Sequence, residues 1–161
     1  MRDGERRQLA LASRRDAQPA APPRSGDWAR VLCDGGSRGN PGPSAIAAVL
    51  LEPRGNAVDQ QAARIGDGTA AVAEYRAILL GLELAATRGA DPLEVCSDSR
   101  LAITALRGRM PADSALAALA REVAVAAHAF SAVRWTWHPR ADNDAADVLV
   151  RELLWGPSGS P

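Results

Sequence analysis

Hydrophobic positions along the chain fall into two rhythms. Short apolar runs come first. "ARVLC" (29–33) and "SAIAAVLLE" (44–52) are bounded by turn residues and predict two buried strands. "PRGN" (53–56) marks a turn. The run after it, "AVDQQAARI" (57–65), alternates loosely and predicts a third strand at a sheet edge. Two hairpin connections make these three antiparallel. A helical rhythm begins at "TAAVAEYRAILLGLELAATRGA" (69–90), where Tyr75, Ile78, Leu82 and Ala85 share one face and Gly89 stands at the stop. "PLEVCS" (92–97) predicts a fourth strand, "SRLAITALRG" (99–108) a short helix and "SALAALAREVAVAAHAF" (114–130) a longer one. "AVRWTWH" (132–138) predicts a fifth strand and "NDAADVLVRELLW" (143–155) a final helix. Strands joined through helices run parallel by right-handed crossovers. The expectation is an α/β fold, a mixed five-stranded sheet with helices on its faces.

Composition narrows this picture. The 161 residues suit one domain, expected over 29–155. Residues 1–28 are Arg-, Ala- and Pro-rich, with six Arg and four acids, and read as a disordered extension. A weak electrostatic tether for nucleic acid is the second reading of that segment. "GPSGSP" (156–161) reads as a flexible tail. The chain has 19 basic residues, all Arg, against 19 acids. A net charge of zero argues against nucleic-acid binding by bulk charge. The absence of Lys fits codon bias in an Ala-rich chain, or a use of Arg for bidentate phosphate contacts. Cys33 and Cys96 lie in apolar runs without metal-ligand spacing and read as buried free thiols. No apolar run has the length of a membrane span, and "LALA" is too short for a signal-peptide core. These features predict a cytoplasmic monomer with no membrane partner.

Four acids stand in unusual places. Asp34 follows the first strand in "VLCDGGSRGNPGPSA" (31–45). Asp98 follows the fourth, at a strand-to-helix switch, where ligands gather in open α/β sheets. Asp98 reads equally as a helix N-cap, a role open also to Ser97 or Ser99. Glu74 precedes Ile78 by four and Leu82 by eight, so it shares their buried stripe. A carboxylate there is costly unless it is paired or bound to a cation. Attraction to the helix N-terminus explains its end of the helix but not its face. Asp147 lies near the start of the last helix with Asp142 and Asp144 close by, and spacing does not choose among them. Two carboxylates about 4 Å apart repel by roughly 4 kcal/mol at an effective dielectric of about 20. Oxygen donors without clustered Cys or His select Mg²⁺ or Mn²⁺, ions that serve phosphodiester cleavage.

"DGGSRGNPGPSAIAAVL", "TAAVAEYRAILLGLELA", "VCSDSRLAITAL" and "PRADNDAADVL" resemble four successive blocks of type 1 ribonuclease H, in the family's order. The resemblance implies the ribonuclease H fold, with strand order 3-2-1-4-5. It implies hydrolysis of the RNA strand of RNA–DNA hybrids, giving 5′-phosphate and 3′-hydroxyl ends. It selects Asp147 as the fourth ligand after Asp34, Glu74 and Asp98, with two metal ions per site. Asp34 would bridge the ions, and Glu74 would reach the substrate 2′-hydroxyl. The resemblance also implies substrate contacts at Gly35, Gly36, Ser37, Asn40 and Thr69, the glycines letting backbone approach the hybrid closely.

The chain departs from the family in three places. Ala70 and Ala71 replace two Asn that normally contact the hybrid. Trp137 stands where many relatives carry a histidine ten residues before the last Asp. His138 is one residue later and reads either as its shifted counterpart or as an exposed strand-end residue. The stretch after the second predicted helix, "RGRMPADS", lacks the family's aromatic and lysine-rich character. These departures predict weaker hybrid binding. Trp135 and Trp137 read as packing residues or as stacking surfaces for a base or sugar. A nucleic-acid-binding module with weak catalysis is the alternative function. A related-fold exonuclease fits less well, because Gly35-Gly36 breaks its Asp-x-Glu opening. A P-loop is excluded, because "GGSRGNPG" lacks the Gly-Lys-Ser/Thr ending.

Overall fold

β1 (Ala29–Ser37) lies at the centre of the molecule and organises everything that bears on the site. In the computed structural model, which describes residues 21–111 and 113–157, it is followed by β2 (Gly42–Leu51), β3 (Ala57–Gly68) and α1 (Ala70–Thr87). Then come β4 (Leu93–Ser97), α2 (Arg100–Leu106), α3 (Ser114–Ala127), β5 (Val133–Trp137) and α4 (Asp144–Trp155). Short 3₁₀ turns at Ser25–Asp27 and Arg140–Asn143 precede β1 and α4. The sheet order is β3-β2-β1-β4-β5, with β1–β2–β3 antiparallel and β1–β4–β5 parallel. The expected mixed sheet is therefore the observed one. Most of the expected extension over 1–28, and of the tail over 156–161, lies outside the described residues. Among the described residues, no helix is long and apolar enough to cross a membrane.

The central strands are covered on both faces, so they read as apolar runs rather than as alternating ones. Val31 and Cys33 of β1, with Ile46, Ala48 and Leu50 of β2, pack with α1 and α3. Leu32, Ala45, Ala47 and Val49 point the other way and pack with Ala146, Val150 and Leu154 of α4. Cys33 and Cys96 are buried free thiols, and burial raises both pKa values, that of Cys96 to about 12.

The first strand is longer than the apolar run that predicted it. It continues through Asp34, Gly35 and Gly36 to Ser37, because β2 keeps supplying partners: Asp34↔Ala47, Gly35↔Ile46, Gly36↔Ala45, Ser37↔Ser44. On the other side the pairing with β4 ends at Cys33↔Ser97. Asp34 thus sits on a strand held from one side only, where β1 and β4 part. Such a crevice at the carboxyl ends of strands is where α/β sheets place ligands.

α1 lies unusually close to β1. A Cβ on Gly35 would fall 2.3 Å from the Ala73 carbonyl carbon and oxygen. One on Gly81 would fall 2.6 Å from Cys33 Sγ. Glycine is needed in the strand because the Ala73 backbone cannot yield, and in the helix because the buried Cys33 and Val31 side chains already fill the space. The close approach brings Glu74 down beside Asp34.

Candidate metal centre

Each acid arrives on a different element. Asp34 is carried by β1, Glu74 by the second turn of α1, Asp98 by the turn between β4 and α2, and Asp147 by the first turn of α4. Local capping fixes these placements. Thr69 caps α1, its Oγ1 accepting from the Val72 amide at 3.2 Å. Ser99 caps α2, accepting from the Ala102 amide at 3.2 Å. Because Ser99 holds that role, the Asp98 carboxylate is left for the crevice. Asp142 and Asp144 stay exposed, whereas Asp147 is buried.

Carboxylate oxygens of Asp34, Glu74 and Asp98 all lie within 4.8 Å of one another. At an effective dielectric of about 20, each fully charged pair at such a distance repels by roughly 3–4 kcal/mol. The protonation equilibria carry that cost. Burial first, then the charges of Asp98 and Asp147, push Asp34 up to about 7. Burial, then Asp34 and Asp98, push Glu74 up to about 9. Asp98 is raised too, chiefly by burial and against the pull of Arg140. Asp34 is the one acid felt by Glu74 and itself perturbed by both Asp98 and Asp147.

Two buried oxygens here, Glu74 Oε2 and Asp147 Oδ1, accept no hydrogen bond. Buried acceptors without partners are costly. The nearby cations supply little compensation. Arg140 reaches Asp147 Oδ1 at 3.4 Å and Asp98 Oδ2 at 3.9 Å, but its side chain is 75% exposed. Arg151 Nη1 lies 3.6 Å from Asp147 Oδ2. Hard oxygen donors, mutual repulsion and acceptors without hydrogen bonds together fit a metal cation.

The remaining sequence-predicted residues sit around this crevice. Gly35 faces the α1 backbone and Gly36 faces Val150 and Leu154 of α4, so both glycines answer to internal packing. Ser37 Oγ donates to the Gly39 carbonyl and to that of Gly68 at 3.0 Å. Asn40 Oδ1 accepts from the Ala70 amide at 3.0 Å, tying the β1–β2 loop to the start of α1. Ala70, Ala71 and Glu74 line a groove of about 490 Å³ together with Leu101 and Met110. His138 is half-buried, its Nε2 3.3 Å from Asn143 Oδ1.

Asn143 and Arg140 were not singled out by sequence reasoning. Asn143 is fully buried, and its Nδ2 donates to the Cys33 carbonyl at 2.8 Å. It pins the start of α4 to the residue before Asp34. A polar residue four positions ahead of Asp147, on the same helical face, was the available signal. Arg140 had none, since an exposed Arg in a polar loop is unremarked in a sequence.

Comparison with known proteins defines the class first. A family model described as "Reverse transcriptase-like" matches residues 32–153. The chain is 35% identical over 143 residues to a ribonuclease HI of Halobacterium salinarum, covering 86% of this chain and 70% of that protein. The crystal structure of RNase H1 from that archaeon superposes with a TM-score of 0.77 at 36% identity, covering 79% of this chain and 97% of the other. The N-terminal RNase H domain of a Mycobacterium tuberculosis protein gives 0.75 at 32%, covering 81% and 94%. LC11-RNase H1, solved in complex with an RNA/DNA hybrid, gives 0.73 at 31%, covering 77% and 94%. The chain belongs to the ribonuclease HI family. It spans about a third, 35%, of the full length of the bifunctional mycobacterial relative.

Proposed function

We propose that this chain is a metal-dependent endonuclease that hydrolyses the RNA strand of RNA–DNA hybrids, leaving 5′-phosphate and 3′-hydroxyl ends. The observation that carries the reading is the convergence of Asp34, Glu74 and Asp98 within 4.8 Å, with orphaned oxygens on Glu74 and Asp147. The family supports the reaction class. The hybrid bound by LC11-RNase H1 supports the substrate.

Asp34, Glu74, Asp98 and Asp147 would hold two Mg²⁺ or Mn²⁺ ions. Such ions, when bound, activate a water nucleophile and stabilise the leaving 3′-oxygen. Asp34, coupled to the other three acids, suits the shared position. Glu74, which lines the groove beside α1, suits contact with the 2′-hydroxyl that separates RNA from DNA. Ser37, Asn40 and Thr69 would contact the hybrid backbone. Gly35 and Gly36, whose side-chain faces are filled by α1 and α4, would meet the hybrid only through their backbone. His138 would act from the far side of the crevice. Residues 29–155 would be the catalytic domain with 1–28 and 156–161 as tails, and the buried thiols suit a cytoplasmic monomer.

A labelled RNA–DNA hybrid incubated with the protein and Mg²⁺ or Mn²⁺ tests this. Cleavage should fall inside the RNA strand, stop with chelator, and spare RNA–RNA and DNA–DNA duplexes. Binding of hybrid without turnover at saturating ion would favour the second reading, a binding module with weak catalysis. Ala70 and Ala71, which put methyl groups on the groove wall in place of amides, motivate that reading.

A further inference from the structure

Trp137 is the departure from the family pattern that the metal centre leaves unexplained. It ends β5, where its register partner in β4 is Ser97, next to Asp98. Its indole Nε1–H donates to the Asp98 backbone carbonyl at 3.0 Å. The Arg100 guanidinium lies over the same indole, 3.7 Å from the ring centroid. Arg100 opens α2, two residues beyond Asp98. One side chain thus grips the β4–α2 turn at two points, by a hydrogen bond before the helix and by a stacked cation within it.

The rest of that turn is also tied. The His138 amide donates to the Ser97 carbonyl at 3.1 Å, and the Ser99 amide donates to Ser97 Oγ at 3.1 Å. The Asp98 carbonyl would otherwise have no strand partner, since the β4–β5 register stops at Ser97↔Trp137. Backbone carbonyls left unpaired in half-buried positions invite rearrangement. Trp137 removes that freedom and fixes the carboxylate's backbone.

We propose that Trp137 is the positioning residue for Asp98, holding it at coordinating distance from Asp34 and Glu74, with Arg100 locking the indole in place. The inference rests on the metal-centre reading above. Groups that orient a ligand in this way typically change metal affinity by 10- to 100-fold when removed. A cation over an indole face adds attraction and restricts ring motion.

The test is titration of the protein alone with Mn²⁺ by calorimetry, alongside thermal melting and hybrid-cleavage kinetics. Trp137→Phe keeps an aromatic face for the guanidinium but removes the N–H donor. It should weaken Mn²⁺ binding by about tenfold. It should lower kcat at fixed ion, with KM for hybrid unchanged, and raised Mn²⁺ should restore the rate. Arg100→Gln should give a smaller loss in the same direction. Trp135→Phe is the control, because Trp135 packs against the core on the same strand. It should leave Mn²⁺ affinity at the wild-type value even where it lowers Tm. Wild-type Mn²⁺ affinity in Trp137→Phe would overturn the proposal, as would an equal loss in Trp135→Phe. A wild-type protein that binds no divalent ion would instead overturn the metal-centre reading itself.

Discussion

At the end of the sheet where β1, β3 and β4 begin, two acids each have an arginine of their own. Asp59 takes Arg88 Nε at 2.7 Å, and Glu94 faces Arg134 Nη1 at 3.7 Å. The Arg88 hydrogen bond, on an exposed pair, holds the Asp59 carboxyl below its usual range. At the opposite end, four acids share two partly exposed arginines, and Asp34 and Glu74 are driven up to about 7 and about 9. The residue type is the same at both ends. Water and a private partner keep an acid charged, while burial among other acids favours its protonated form and suits it to a cation.

The sharpest way to break this contrast is Asp34→Asn, which keeps shape and removes one charge. Hybrid cleavage should fall by about 10³-fold, the scale of several kcal/mol of lost transition-state stabilisation. The metal-free protein should become more stable at pH 8, with Tm up by roughly 2–4 °C, about 1 kcal/mol. A lower Tm would show that the cluster is not under repulsion.

Next in size is the response to ions. Mg²⁺ or Mn²⁺ at about 100 times its Kd should add about 2.7 kcal/mol, or roughly 5–10 °C in a thermal melt. The pH dependence without metal has a definite sign. Asp34 and Glu74 have folded pKa values raised above their ordinary 3.8 and 4.5. The folded state therefore holds more protons than the unfolded one between those ordinary values and about 7 or 9. Stability from this site is complete below about pH 4 and drains away as pH rises to about 9. Asp59 has the opposite sign, contributing above its ordinary 3.8 and losing its contribution as pH falls through its lowered folded value. Melts from pH 5 to 9 should fall steeply without metal and flatten with it.

Gly35→Ala tests the packing that creates the crowded end. Its Cβ would meet the Ala73 backbone at 2.3 Å, so α1 must move. The expected cost is about 1–3 kcal/mol in chemical denaturation, together with weakened Mn²⁺ binding as Glu74 withdraws from Asp34. The smallest effect belongs to the matched end. Arg88→Ala removes an exposed pair and should change Tm little, with cleavage unchanged.

Much of this molecule was legible from its residues alone. Apolar runs and helical spacing located every strand and helix within a few residues, because each element must bury a face of matching period. The pattern around Asp34, Glu74, Asp98 and Asp147 carried the family, and the Glu74–Ile78–Leu82 stripe already marked an acid on a buried face. Three-dimensional pairing decided the rest. β1 outruns its apolar segment because β2 supplies partners as far as Ser37. Gly35 is glycine because the Ala73 backbone, thirty-eight residues away, occupies the space of a side chain. Asp98 is released from capping because Ser99 takes that role. Trp137 acts on Asp98 only through a strand register that links residues thirty-nine positions apart. Periodicity and composition are local properties, so a sequence states them directly. Repulsion, close approach and orphaned acceptors exist only between residues that the chain has brought together.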